Sequence, residues 1–228
     1  MSVEAIIIAR GGSKGIPEKN IIDFCGKPLI TWTIEQCLAS KEIDSVWVSS
    51  DDQKILNIAE DSGSEILLRP DEFSTDLATS ESAWLNAIDQ LRERNITPEL
   101  IIAPQVTSPL RESLDFDNAV VKFLKGDYDS MFSCCPVEDL FFWEKSKDGV
   151  LESVNYDYQN RKRRQEISNK YIENGSFYLF TPESLLVNSN RFGTRVGLIE
   201  MEFWKMFEID SLEDCRMCSA LMKEYIIK

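Results

Sequence analysis

A three-layer α/β fold with a mostly parallel central sheet is predicted by a rhythm and by its punctuation. Short apolar runs, Val3–Ala9, Ser45–Ser49, Glu65–Leu68 and Leu100–Ala103, alternate with segments of helical period, Leu29–Ser40, Asp52–Ser62 and Ser80–Arg94. Runs that are apolar throughout suit strands covered on both faces, and helical crossovers make such strands parallel. The punctuation agrees: Pro28 opens the first helix, Gly63 follows the second, and Gly126 ends a fourth that runs from about Ser113.

Val3–Ala9 begins the sheet and runs directly into "RGGSKGIPEKN", Arg10 to Asn20. The βα rhythm holds through Gly126 and then breaks. Between Pro136 and Lys170 the chain is rich in charge and aromatics, which does not fit another βα unit and reads as a hairpin-like excursion. Strand-like Ser176–Phe180 and Val196–Met201 resume the sheet. A last helix starts near Ser211, which with Asp214 resembles a capping box. One domain over residues 1–228 is expected, with the excursion at about 137–170; no internal repeat or low-complexity linker interrupts it.

Composition narrows the function. A net charge of −14 argues against nucleic-acid or anionic-membrane binding, which needs a basic surface. No run approaches the roughly eighteen apolar residues of a membrane span, and Met1–Ala9 lacks the charged start and length of a signal peptide, so a soluble cytoplasmic protein is expected. The six cysteines, Cys215-x-x-Cys218 included, read as reduced thiols rather than as disulfides or a zinc site. With no histidine in the chain, any chemistry falls to carboxylates, lysine, backbone amides or a metal ion.

Against that acidic background the basic clusters stand out: Arg10, Lys14 and Lys19 in the first loop, and Arg161–Arg164 in the excursion. The loop matches neither G-x-x-x-x-G-K-[ST] nor G-x-G-x-x-G, because its glycines fall at 11, 12 and 15 only. It keeps the physics of both. Glycines after a strand free backbone N–H groups to face an anion, cations surround them, and open sheets bind ligands at this edge, so a triphosphate suits the loop. The plain alternative is a surface turn with solvated lysines.

"ARGGSKGIPEKN" resembles the nucleotide-binding signature of the CMP-sialic acid synthetases, the acylneuraminate or nonulosonic acid cytidylyltransferases. "GKPLITWTIEQCLAS", "DSVWVSSDD", "LRPDEFSTDLATS", "QVTSPLR", "RRQE", "YIENGSFYLF" and "FEIDSLED" follow in that family's order and cover nearly the whole chain. The resemblance implies a Rossmann-like nucleotidyltransferase with an extended dimerisation arm, acting as a homodimer. The implied reaction joins CTP to a nonulosonic acid, N-acetylneuraminate or Kdn first and legionaminate or pseudaminate as alternatives, releasing pyrophosphate with Mg²⁺. A sugar-1-phosphate nucleotidyltransferase and a catalytically silent nucleotide-binding module are the rivals.

By resemblance Arg10, Ser13, Lys19 and Asn20 hold the CTP phosphates, with Lys19 nearest the transferring phosphate. The residues suggest the same, since phosphoryl transfer is catalysed by positioning and by neutralising charge. Arg69, at the end of the third strand, and Ser80 are implied in nucleotide recognition, although Ser80 equally suits a helix cap. The family often has serine where this chain has Ala78, so any contact from that hydroxyl is lost here. Asp51 and Asp52 are read as caps of the second helix, and Pro109 and Arg111 as turn and helix-start residues.

Gln105 is implied to sit between nucleotide and sugar acid, where an amide both donates and accepts. Asn174 and Tyr178 match family positions that contact the acceptor sugar, and the aromatic Phe192 in "NRFG" is expected to help shape its pocket. "RKRRQE" reads as a solvated run, as a nucleic-acid patch, or as a carboxylate site carried by the arm across a dimer; the family favours the third and assigns Arg164 to the active site. Glu208 and Asp210 are expected on one face of a strand-like run, "MEFWKMFEID", with Ile209 on the other. The family usually has two aspartates there that hold the catalytic metal; here the first is glutamate, one methylene longer.

Overall fold

The computed structural model describes residues 1–228 apart from Lys14, 138–139, 167–169, Lys228 and the Arg164 side chain. The strands are β1 (Val3–Ile8), β2 (Asp23–Phe24), β3 (Lys27–Pro28), β4 (Ser45–Ser50), β5 (Glu65–Leu68), β6 (Leu100–Pro104), β7 (Ser130–Val137), β8 (Trp143–Lys145), β9 (Leu151–Ser153), β10 (Lys170–Phe180) and β11 (Val196–Glu200). The helices are α1 (Leu29–Leu38), α2 (Gln53–Asp61), α3 (Ser80–Glu93), α4 (Ser113–Lys125), α5 (Pro182–Asn188) and α6 (Leu212–Tyr225). Seven strands form one sheet in the order β11-β7-β10-β6-β1-β4-β5, in which only β10 runs against its neighbours.

The apolar strands β1, β4 and β6 are buried on both faces, whereas β5, at the sheet edge, buries only Leu67 and leaves Leu68 exposed, against expectation. In β1, Ala5 and Ile7 join the cluster that packs Leu29 and Ile34 of α1, Ile55 of α2, Phe116 of α4 and Met222 of α6. Ile6 points the other way, into the cluster that holds Trp84 and Leu91 of α3 and Leu185 of α5. Three layers follow from this alternation. The mutually paired parallel strands β1, β4, β5 and β6 end at the same edge, where the loops after them meet.

Several expectations are corrected. The sequence reading passed over β7, whose Ser130–Val137 is rich in Ser and Cys and ends in Pro136 and Val137, yet it lies between β10 and β11. The strand at 176–180 is the end of the longer β10. The run at 201–210 is not a strand: Phe203–Met206 forms a 3-10 turn. Its last residues still alternate, with Ile209 fully buried between exposed Glu208 and Asp210, because Ile209 N–H donates to Thr107 O (2.7 Å) and draws its side chain inward. Within the excursion, β8 and β9 pair as an antiparallel hairpin.

Helix caps also differ. Thr79, not Ser80, caps α3, and Asp52 alone caps α2 through Lys54 N–H (2.7 Å). Asp51 instead accepts from Gly11 N–H (3.2 Å). Arg111 is no simple helix-start residue: fully buried, it donates to the carbonyls of Gln105 (2.9 Å), Ser108 (2.5 Å) and Ser176 (3.1 Å) and to Thr33 Oγ1 (2.6 Å). Burial pushes its guanidinium down to about 10. The capping box of Ser211 and Asp214 is present at α6.

Candidate active site

The loop after β1 is shaped by close approach. A Cβ on Gly11 would stand 2.6 Å from Asp52 Oδ2, and one on Gly15 would stand 2.9 Å from the Asp210 carbonyl, so both positions exclude a side chain. Glu18 takes a left-handed turn (φ 51°) into the single 3-10 turn Lys19–Ile21. Asn20, buried below the loop, donates from Nδ2 to Arg10 O (2.9 Å) and fixes the loop's first residue over its last.

Each cation of this loop that the structure describes is held by a carboxylate. Arg10 pairs with Asp76 (2.9 Å), on the segment before α3. Lys19 Nζ donates to Asp210 Oδ1 (2.9 Å) and to Ile209 O (3.1 Å), which ties the loop to the start of α6. Arg69, buried at the end of β5, donates to Ala9 O (3.1 Å) and Ser74 Oγ (2.9 Å) and lies 3.7 Å from Asp51. Burial lowers its pKa and Asp51 opposes that shift.

Two cavities open at this edge. The first, about 480 Å³, is lined by Arg10, Ser13, Lys19, Asn20, Arg69, Ser80, Trp84 and Gln105 among others. The second, about 610 Å³, is lined by Gln105, Glu173, Asn174, Tyr178, Glu208, Asp210 and Asp214 among others. Gln105 borders both. The structure therefore gathers Arg10, Ser13, Lys19, Asn20, Arg69, Ser80 and Gln105 around one cavity, and Asn174, Tyr178, Glu208 and Asp210 around its neighbour.

Three residues behave differently from that grouping. The amide of Asn174 is engaged within the protein, donating to Lys205 O (3.1 Å) and accepting from Ser133 Oγ (2.6 Å). Phe192 lines neither cavity; it packs edge-on against Tyr178 (5.9 Å) and Phe132 (5.8 Å) and supports the wall from behind. The Arg164 side chain lies outside the described residues.

Sequence reasoning takes Asp51 only for a helix cap and does not single out Asp76, Trp84 or Glu173; the fold brings each one in. Tyr178 Oη donates to Glu173 Oε1, and its pKa is raised by burial and by that carboxylate, with Arg191 opposing. Among the described residues no three His, Cys, Asp or Glu side chains gather into a metal site. Glu208 and Asp210 both line the second cavity. Desolvation and then Asp210 push the Glu208 carboxyl above its usual range, the crowding that a bound cation relieves. Two carboxylate oxygens also suit an ion such as Mg²⁺ that takes its other ligands from phosphates and water.

The comparisons agree with this geometry. A model of the cytidylyltransferase family matches residues 4–227. The N-acylneuraminate cytidylyltransferase of Oncorhynchus mykiss is 37% identical over 182 residues, which cover 78% of this chain and 41% of that protein. The chain thus spans less than half of that relative's length. The pseudaminic acid cytidylyltransferase of Campylobacter jejuni subsp. jejuni serotype O:23/36 is 31% identical over 224 residues, covering 96% of this chain and 95% of that protein. A solved CMP:2-keto-3-deoxy-manno-octonic acid synthetase complexed with CTP superposes with a TM-score of 0.74 at 14% identity, covering 99% of this chain and all of that one. At that identity the likeness speaks for the fold. Matched by the family model and alongside the Campylobacter protein over almost their whole common length, the chain belongs to the cytidylyltransferase family, as its resemblance to the CMP-sialic acid synthetases implied.

Proposed function

We propose that the protein transfers CMP from CTP to the anomeric hydroxyl of a nonulosonic acid and releases pyrophosphate. The observation that carries this reading is Lys19. It lines the first cavity and donates to Asp210, which lines the second, and the two cavities share Gln105. One cavity has the cations for a triphosphate, and the other has polar groups for a polyol.

In this reading Arg10, Ser13, Asn20 and Arg69 hold and orient the nucleotide, with Ser80 at its base end. Arg10 would exchange Asp76 for phosphate, and Lys19 would turn from Asp210 to the charge that builds on the leaving pyrophosphate. Gln105 lies between the two substrates, and Asn174 and Tyr178 shape the acceptor side, with Phe192 behind Tyr178. Asp210 and Glu208 would hold Mg²⁺, which when bound supplies charge neutralisation at the phosphates. Arg164, on the arm, would meet the acceptor carboxylate, either in its own subunit or across a homodimer.

N-acetylneuraminate or Kdn is the acceptor favoured by the motif likeness. Pseudaminate and legionaminate remain the alternatives, and the relative of nearly equal length is named for pseudaminic acid. The test is pyrophosphate release over a grid of four nucleotides against these acids and against sugar 1-phosphates. Release confined to CTP with a nonulosonic acid is expected. Release with a sugar 1-phosphate, or CTP binding without release from any pair, would overturn the proposal.

A further inference from the structure

Four carboxylates, Glu173, Glu208, Asp210 and Asp214, line the second cavity, and no lysine or arginine does so among the described residues. Asp214 closes the capping box of α6, Asp210 takes Lys19, and Glu208 neighbours Asp210 in the proposed cation pair. Glu173 has no such occupation. In a regular strand, residues 173 and 178 would lie about 17 Å apart and on opposite faces. In β10 the register shifts between them, and Gly175 takes φ 61° inside the irregularity. Five steps of β10, from Glu173 to Tyr178, face only two steps of β7, from Cys134 to Phe132. The bulge folds Glu173 back so that it accepts from Tyr178 Oη.

The phenol that aims this carboxylate is itself held firmly. Tyr178 is 4% exposed, and the Arg191 guanidinium lies 4.6 Å from its ring centre and 4.9 Å from that of Trp84. Arg191 is fixed in turn by Glu81 (2.8 Å). Glu173 Oε2 has no hydrogen-bond partner among the described residues, so an oriented carboxylate oxygen is left for the cavity.

We propose that Glu173 is a specificity-determining residue for the acceptor: its carboxylate, aimed by Tyr178, accepts a hydrogen bond from one N–H or O–H group of the nonulosonic acid. The assignment rests on the cytidylyl-transfer reading and adds the chemistry of one acceptor contact to it. Glu173 is exposed in the free protein, so an acceptor seated in the cavity would cover it, and an analogue that lacks the partner group would leave the carboxylate unpaired beneath it.

The test is pyrophosphate release by the full chain with CTP and Mg²⁺, first with N-acetylneuraminate, Kdn, pseudaminate and legionaminate. The best of these is then compared with its 4-, 7-, 8- and 9-deoxy derivatives and with its 5-deoxy form, for wild type, Glu173→Ala, Glu173→Gln and Tyr178→Phe. Wild type should lose about tenfold or more in kcat/KM on one of these derivatives, through acceptor KM. Glu173→Ala should lose a similar factor on the parent acid and nothing further on that derivative, with KM for CTP unchanged. Tyr178→Phe should fall between and carries the same test if the alanine variant does not fold, whereas Glu173→Gln, whose amide oxygen still accepts, should lose less than Glu173→Ala. Identical relative kcat/KM across the series in wild type and variant, or an unchanged parent reaction in Glu173→Ala, would overturn the assignment while leaving the transfer reading intact. Wild type silent with every acid would overturn that reading, and this assignment with it.

Discussion

At the scale of single residues, Lys19 carries the argument because it touches both halves of the proposed chemistry. Its side chain is 16% exposed and fixed by two oxygens, so its ammonium is already placed before any ligand arrives. Removing one preorganised donor to developing charge costs about 3 kcal/mol, roughly two orders of magnitude in rate. Lys19→Ala should lower kcat by that factor, with a smaller loss of CTP affinity and an unchanged melting temperature. Steady-state kinetics and CTP titration check this, and near-wild-type turnover would remove Lys19 from the role. The carboxylate pair gives a second expectation. Asp210→Asn should abolish activity at every Mg²⁺ concentration. Glu208→Gln should lower it less and raise the Mg²⁺ needed for half-maximal rate. Full activity of Asp210→Asn, or turnover that persists in excess chelator, would show that Asp210 only serves the turn before α6.

At the scale of elements, the loop after β6 depends on a side chain buried beneath it. Arg111 satisfies the carbonyls of Gln105, Ser108 and Ser176 together, binding that loop to β10. Arg111→Met would leave the Ser108 carbonyl without a partner, at roughly 1–3 kcal/mol, while Ser176 O keeps Gln105 N–H (2.9 Å) and Gln105 O keeps Ser108 N–H (3.3 Å). A loss of about 2 kcal/mol predicts a fall in Tm of roughly 4–8 °C by calorimetry. The acceptor KM should rise with it, because Gln105 loses its anchor; an unchanged Tm would contradict that account. The parallel half of the sheet was legible in the sequence because β1, β4 and β6 are apolar on both faces. β7 was not, since its Ser and Cys side chains become core only beside β10 and β11. Phe203–Met206 misled because a single 3-10 turn is too short to leave a period. The glycine loop was readable for the opposite reason, its chemistry being contiguous. Glu173 and Arg191 acquire meaning only through the bulge in β10 and the packing of Tyr178.

At the scale of the whole molecule, the acid partners of Arg10, Arg69 and Lys19 come from three separate segments, so in the proposed function a triphosphate that displaced them would act on the loops before α2, α3 and α6 together. The arm with the hairpin β8–β9 stands apart from the sheet and exposes Phe142, Trp143, Leu151 and Val154. A shared site across two subunits predicts that Arg164→Ala mixed with Lys19→Ala regains part of the activity that each lacks alone. Full activity of a monomer at high dilution would contradict a shared site. The central claim is that the acceptor's hydroxyl, not a phosphate, attacks CTP, and phosphorus NMR of the product tests it most directly. With CTP, Mg²⁺ and the preferred nonulosonic acid, the account predicts pyrophosphate and one new uncoupled phosphodiester signal in equal amounts. A pair of mutually coupled diphosphate signals in the product, or no product signal with any of the acids, would contradict it.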